Sequence, residues 1–252
     1  MIDLEQFKFD PKDSEMIVNA IVEGYREYIE HRKERFEKMA ISSAFAWTKG
    51  NFIESKIAEI SPALNLTYKF AKAGLTWDYL QFIYGDTKKL FLIKNAAYFN
   101  ENCFSQAVLP NRQRGKGRLR TYLHELSKIN QGLEFTINNQ YQPSSQHGEQ
   151  LSLFFTEEHI KRDLEHFQQN YNEFHILTYE IDDAYQISKI MHYLPNPEDN
   201  IAYRIEDLSK YISGSELTDE EREIIAPEID NGIIDPAAYD IGIIEEEDEE
   251  SN

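Results

Sequence analysis

The sequence predicts an α+β protein, a mostly antiparallel sheet flanked by helices, with an acidic C-terminal tail that is disordered or loosely docked. Three observations predict it. Apolar residues recur at helical spacing across residues 13–39. The period then changes to that of strands in three successive segments between 66 and 95, and again in a pair between 174 and 193. Charge is also segregated: residues 216–252 hold fifteen Asp or Glu against one base, Arg222, so −14 of the formal charge of −19 belongs to them. Blocks of like charge repel themselves and stay solvated. The expected organisation is therefore a body at 1–215 and a tail at 216–252.

Ile17, Val18, Ile21, Tyr25, Tyr28, Ile29 and Phe36 form the stripe of a long amphipathic helix over 13–39. A second helix follows over 50–60, with Gly50 at its start and Pro62 stopping it. LTYKFAKA (66–73), DYLQFIY (78–84) and KLFLIKN (89–95) read as strands, the last two joined by a Gly85-Asp86 turn. In NRQRGKGRLR, Gly115 and Gly117 predict a loop, and a helix from about Arg118 to 130. Another helix is expected at 157–171. FHILTYEID (174–182) and YQISKIMHY (185–193) form a hairpin that Pro195-Asn-Pro197 should break, with a short helix over 205–212. Thr218 to Glu221 has the form of a capping box for a small helix within the tail, and the tail's isoleucines suggest that parts of it dock.

Composition narrows the function classes. A single cysteine, Cys103, excludes a disulfide framework and a multi-cysteine metal site. No apolar run approaches the roughly 18 residues of a membrane helix, and MIDLEQFKFD has no signal-peptide core, so a cytoplasmic protein with no membrane partner is expected. No phosphate loop, dinucleotide fingerprint or nucleophile elbow is present, and no cofactor is implied. His159 and His166 are seven apart with Asp163 between them, a spacing that does not match paired helical metal ligands, so no metal is expected. Arg112, Arg114, Lys116, Arg118 and Arg120 are the basic pole. Arginines in a glycine-rich turn suit the phosphate groups of nucleic acid, the alternatives being a solvated loop or a cradle for the chain's own acidic tail.

The most specific signal is short. A polar segment, NNQYQPSSQHGEQ (138–150), reads as a linker and runs into Gln150, Leu151, Ser152, Leu153 and Phe154, the linker and motif together occupying 138–155. These five residues resemble the bacterial clamp-binding motif, Gln-Leu-Ser/Asp-Leu-Phe, carried by proteins that dock on the β sliding clamp of DNA polymerase III. All five match, which by chance should happen on the order of once in a thousand chains of this length. Leu153 and Phe154 would be the buried anchors, with Leu151 in a neighbouring subsite. Gln150 would fix register by donating and accepting, and Ser152 would face outward. The alternative is a buried segment, since Leu151, Leu153 and Phe155 alternate as a strand does. The resemblance implies a non-enzymatic protein that modulates or exploits DNA replication, as a host or phage factor. The overall layout also resembles uncharacterised proteins of low-GC Gram-positive bacteria and their prophages.

A second resemblance is to the PD-(D/E)xK nuclease core, in the order helix, three strands, helix, strand. It implies Asp78 at the start of the second strand, Lys94 on the third and Glu54 on the preceding helix as remnants of a metal site. The Glu-x-Lys glutamate is Leu92 here, so the metal would lack a carboxylate that a hard ion wants. Two alternatives stand beside the non-enzymatic clamp-binding role: a clamp-recruited, DNA-acting protein on a degenerate nuclease-like fold, or an acidic DNA mimic that inhibits through its tail.

Overall fold

The computed structural model describes residues 4–40, 43–73, 77–108, 114–119, 121–133, 135 and 171–230. A 3-10 turn (Leu4–Phe7) leads into α1 (Pro11–Lys38). The side chain of Asp10 caps α1 by accepting from the Lys12 N–H, and Pro11 takes the first position, where no N–H is needed. The expected stripe is the buried face, from Ile17 to Ile29. Phe36, also assigned to it, lies exposed beyond the core. After a 3-10 segment, α2 (Lys49–Ile60) crosses α1 at Gly24. A Cβ on Gly24 would stand 2.7 Å from the Ile53 Cα and 2.9 Å from the Phe52 carbonyl oxygen, so the approach requires glycine.

Next come β1 (Leu66–Ala73), β2 (Trp77–Tyr84) and β3 (Lys89–Asn95), an antiparallel meander. The turn between β2 and β3 spans Gly85 to Lys88, both at positive φ. A small antiparallel pair, β4 (Gln106–Val108) and β5 (Arg114–Leu119), precedes α3 (Thr121–Ser127). β6 (Glu173–Ile181) runs parallel to β3, then β7 (Ile187–Asn196) and β8 (Ile201–Asp207) complete a six-stranded sheet in the order β1-β2-β3-β6-β7-β8. A single parallel pair, bridged by a connection containing α3, makes this sheet mostly antiparallel.

The sheet has two covered faces. One holds Leu80, Phe82, Phe91, Leu177 and Ile190 against α1 and α2. The other holds Tyr79, Leu90, Leu92, Phe174 and Ile176 against Phe104 and the Leu123 and Leu126 side chains of α3. α4 (Asp219–Asp230) begins with the expected capping box: the Glu221 carboxylate accepts from the Thr218 N–H at 2.7 Å, and the Glu221 N–H donates to the Thr218 hydroxyl. Leu217, Ile224 and Ile225 are buried, and Lys33 and Arg26 of α1 pair with Glu220 and Glu221. The first part of the acidic segment therefore packs on α1, as its isoleucines suggest.

Three local expectations are corrected. Residues 114–119 are strand despite Gly115 and Gly117, and the helix begins at Thr121. Residues 201–207 are strand, with only a 3-10 turn (Ser209–Tyr211) behind them. Pro195 does not break the second hairpin, because β7 continues through it to Asn196. The physical reason is Asn130. The β6–β7 register, Ile176 opposite Tyr193, sets Phe174 opposite Pro195, which has no N–H to offer. The fully buried Asn130 amide donates to the carbonyls of both Phe174 and Pro195 at 2.8 Å and accepts from the Phe174 N–H at 2.7 Å. A side chain 44 residues away from Phe174 supplies the rung that proline cannot.

Candidate functional site

The Gln150–Phe154 motif lies outside the described residues, as do Arg112, Arg120, the 157–170 segment with His159, Asp163 and His166, and the tail from 231 onward. Arg114, Lys116 and Arg118 belong to β5, whose register against β4 is irregular.

The remnant nuclease constellation is described in full, and the sheet separates it. Lys94 shares the α3 face of β3 with Leu92, which is 1% exposed and packed in the core. Its ammonium sits 5.4 Å from the Tyr79 ring and 5.1 Å from the Tyr122 ring. Strand alternation puts Asp78, exposed, on the other face with Leu80 and Phe82, and Tyr79 on the face of Lys94. Glu54 comes from α2 on that same opposite face, where its carboxylate accepts from the Leu80 N–H at 2.9 Å. The residue nearest Lys94 on β2 is thus a tyrosine rather than an acid. Among the described residues no group of three or more His, Cys, Asp or Glu is placed to hold a metal ion.

A different polar constellation lies in the interior. His175 on β6 and His192 on β7 are both fully buried. Leu177 stands opposite His192, so the two histidines are diagonal neighbours on one face, with His192 Nε2 2.9 Å from His175 Nδ1. His175 Nε2 is 2.9 Å from Glu173 Oε2, and Lys89, the β3 residue in register with Glu173, has its Nζ 3.3 Å from the same oxygen. At the other end Glu206 of β8 is the cross-strand partner of His192, its Oε1 3.6 Å from His192 Nδ1. The N-terminal segment roofs this row: Phe9 stacks on His192 at 4.6 Å, and Lys89 donates to the carbonyls of Gln6 and Lys8.

The environment fixes the charges. Burial drives His175 down to about 3 against the opposing pull of Glu173, and drives His192 down against that of Glu206. Burial pushes the Glu173 carboxyl up, but His175 and Lys89 outweigh it and hold the group below the ordinary carboxylate range. Both imidazoles are therefore neutral at neutral pH, between a lysine-paired carboxylate and a second carboxylate. The row ties β3, β6, β7, β8 and residues 6–9 together at one place. Sequence reasoning missed it. The available signal was a histidine at an inward position of each hairpin strand, with a glutamate two residues before the first.

Compared with known proteins, the chain matches no protein family, no curated protein and no solved structure. The described helices include none long and apolar enough to cross a membrane.

Proposed function

We propose that this protein is a non-enzymatic, cytoplasmic factor that docks on the bacterial β sliding clamp through Gln150, Leu151, Ser152, Leu153 and Phe154, and so modulates or exploits DNA replication. The observation that carries the reading is the five-residue match following a polar lead-in. Such a peptide binds by placing side chains in a groove while its backbone stays available for hydrogen bonds. Leu153 and Phe154 each contribute roughly 1.5–3 kcal/mol when desolvated. The non-enzymatic part is supported by the separated remnant constellation, with Leu92 in the core and Lys94 held between tyrosine rings. Direct binding to purified clamp, compared between the wild type and Leu153→Ala/Phe154→Ala, tests it.

One observation favours a second reading, a clamp-recruited protein on a nuclease-derived scaffold: with the small β4–β5 pair set aside as an insertion, the meander β1-β2-β3, α3 and a parallel β6 follow the order that resemblance implies. Plasmid and single-stranded DNA incubated with Mg²⁺ or Mn²⁺ should remain intact. Metal-dependent cleavage lost in Asp78→Ala would replace the first reading with an enzymatic one.

A further inference from the structure

The row Glu173–His175–His192–Glu206 contains three gaps, each flanked by two potential acceptors: carboxylate to imidazole, imidazole to imidazole, and imidazole to carboxylate. Each gap closes only with a proton in it. Two ionised carboxylates and two neutral imidazoles bring two protons, one on each ring. One gap must stay open whichever way the protons are ordered. The distances identify it: two gaps are 2.9 Å and the third, His192 Nδ1 to Glu206 Oε1, is 3.6 Å. These two atoms are also buried without a hydrogen-bond partner among the described residues. On formal charges, one lysine, Lys89, stands against two carboxylates, Glu173 and Glu206, around a fully buried imidazole pair, an imbalance that one added proton removes.

We infer that the gap between His192 Nδ1 and Glu206 Oε1 is a proton-binding site, empty at neutral pH and the first position of the row to fill on acidification. One proton there closes the third hydrogen bond and neutralises the cluster in a single step. Among the described residues no other group offers a competing arrangement. Glu206 is the facing group from β8, Glu173 and His175 from β6, and Lys89 from β3. The N-terminal segment contributes the Phe9 ring against His192 and carbonyls that Lys89 already holds. From α1, Asp13 is occupied by the Tyr84 hydroxyl. A further proton on His175 would have to sit on Nδ1, where it would meet the proton that His192 Nε2 already donates there, and its carboxylate Glu173 is shared with Lys89. The consequence is a contact between β7 and β8 that tightens as pH falls, while the rest of the row keeps its order.

The test uses the full chain. Two-dimensional ¹H–¹⁵N NMR of ¹⁵N-histidine-labelled protein reads each ring nitrogen as protonated or bare. At pH 8 His192 should show a proton on Nε2 and none on Nδ1. On acidification short of unfolding, His192 Nδ1 should gain a proton before any other nitrogen of the pair. A His192 Nδ1 already protonated at pH 8, or a His175 that titrates first, would overturn the inference. Glu206→Gln provides the second readout, because a glutamine amide donates to Nδ1 without an added proton. It should raise the folding equilibrium constant about fivefold at pH 8, one net hydrogen bond, and that advantage should vanish at the pH where the NMR spectrum shows His192 Nδ1 protonated. An effect of Glu206→Gln that is the same at pH 8 and at that lower pH would contradict the site. Neither measurement involves the clamp, so the outcome is separate from that of the proposed function.

Discussion

Replacing Asn130 by alanine should be among the most damaging single changes in the chain, although it removes one small polar side chain. The Asn130 amide satisfies three buried backbone groups: the Phe174 N–H, the Phe174 carbonyl and the Pro195 carbonyl. Alanine leaves all three facing one another where proline cannot complete the ladder. A buried polar group stripped of its partner costs about 1–3 kcal/mol. Carbonyls tolerate the loss better than an N–H, so three together give about 3–5 kcal/mol, a large part of the 5–15 kcal/mol typical of a whole domain. Asn130→Asp should be as harmful, since it replaces the donor with an oxygen aimed at two carbonyls 2.8 Å away. Urea unfolding measures the loss, read as a lower midpoint at unchanged slope. Hydrogen exchange should show the Phe174 amide losing its protection. A loss below 1 kcal/mol for Asn130→Ala, or a Phe174 amide that stays protected, would refute the argument that this side chain is the missing rung.

Gly24→Ala should destabilise by about 1–3 kcal/mol, because the new methyl meets the Ile53 backbone and the two helices must separate; thermal unfolding checks it, and an unchanged Tm would contradict the close crossing. The buried histidines make stability depend on pH with a definite sign. Their folded pKa values lie below the unfolded value of about 6.5, so their contribution is complete above pH 6.5 and drains as pH falls, His175 continuing to about 3. The slope below pH 6.5 should approach about 1.4 kcal/mol per pH unit for each histidine still neutral. Unfolding curves at pH 8, 6 and 5 measure it, and His175→Gln should flatten the slope.

Much of the sheet was legible because its signals are local. The stripe from Ile17 to Ile29, the strand-forming runs LTYKFAKA and KLFLIKN, and the Thr218–Glu221 capping box each sit within one element, and each formed as read. What failed depends on partners far along the chain. Pro195 remains in a strand because Asn130 serves its neighbour, and the start of the helix expected over 205–212 is instead the end of β8, paired with β7. The candidate site divides the same way. Asp78 and Lys94 satisfy a linear pattern, but strand parity puts them on opposite faces. The histidine row was invisible because Lys89, Glu173, His175, His192 and Glu206 become neighbours only when the strand order β3-β6-β7-β8 is known.

Binding to purified β sliding clamp tests the central claim most directly. The full chain and its Leu153→Ala/Phe154→Ala variant are titrated onto immobilised clamp, with unfolding curves recorded for both. The account predicts saturable binding by the wild type, at least roughly a hundredfold weaker binding by the variant from the loss of two apolar anchors, and equal stability for the two proteins. Absent wild-type binding would contradict it, as would a variant destabilised by several kcal/mol, the mark of core residues.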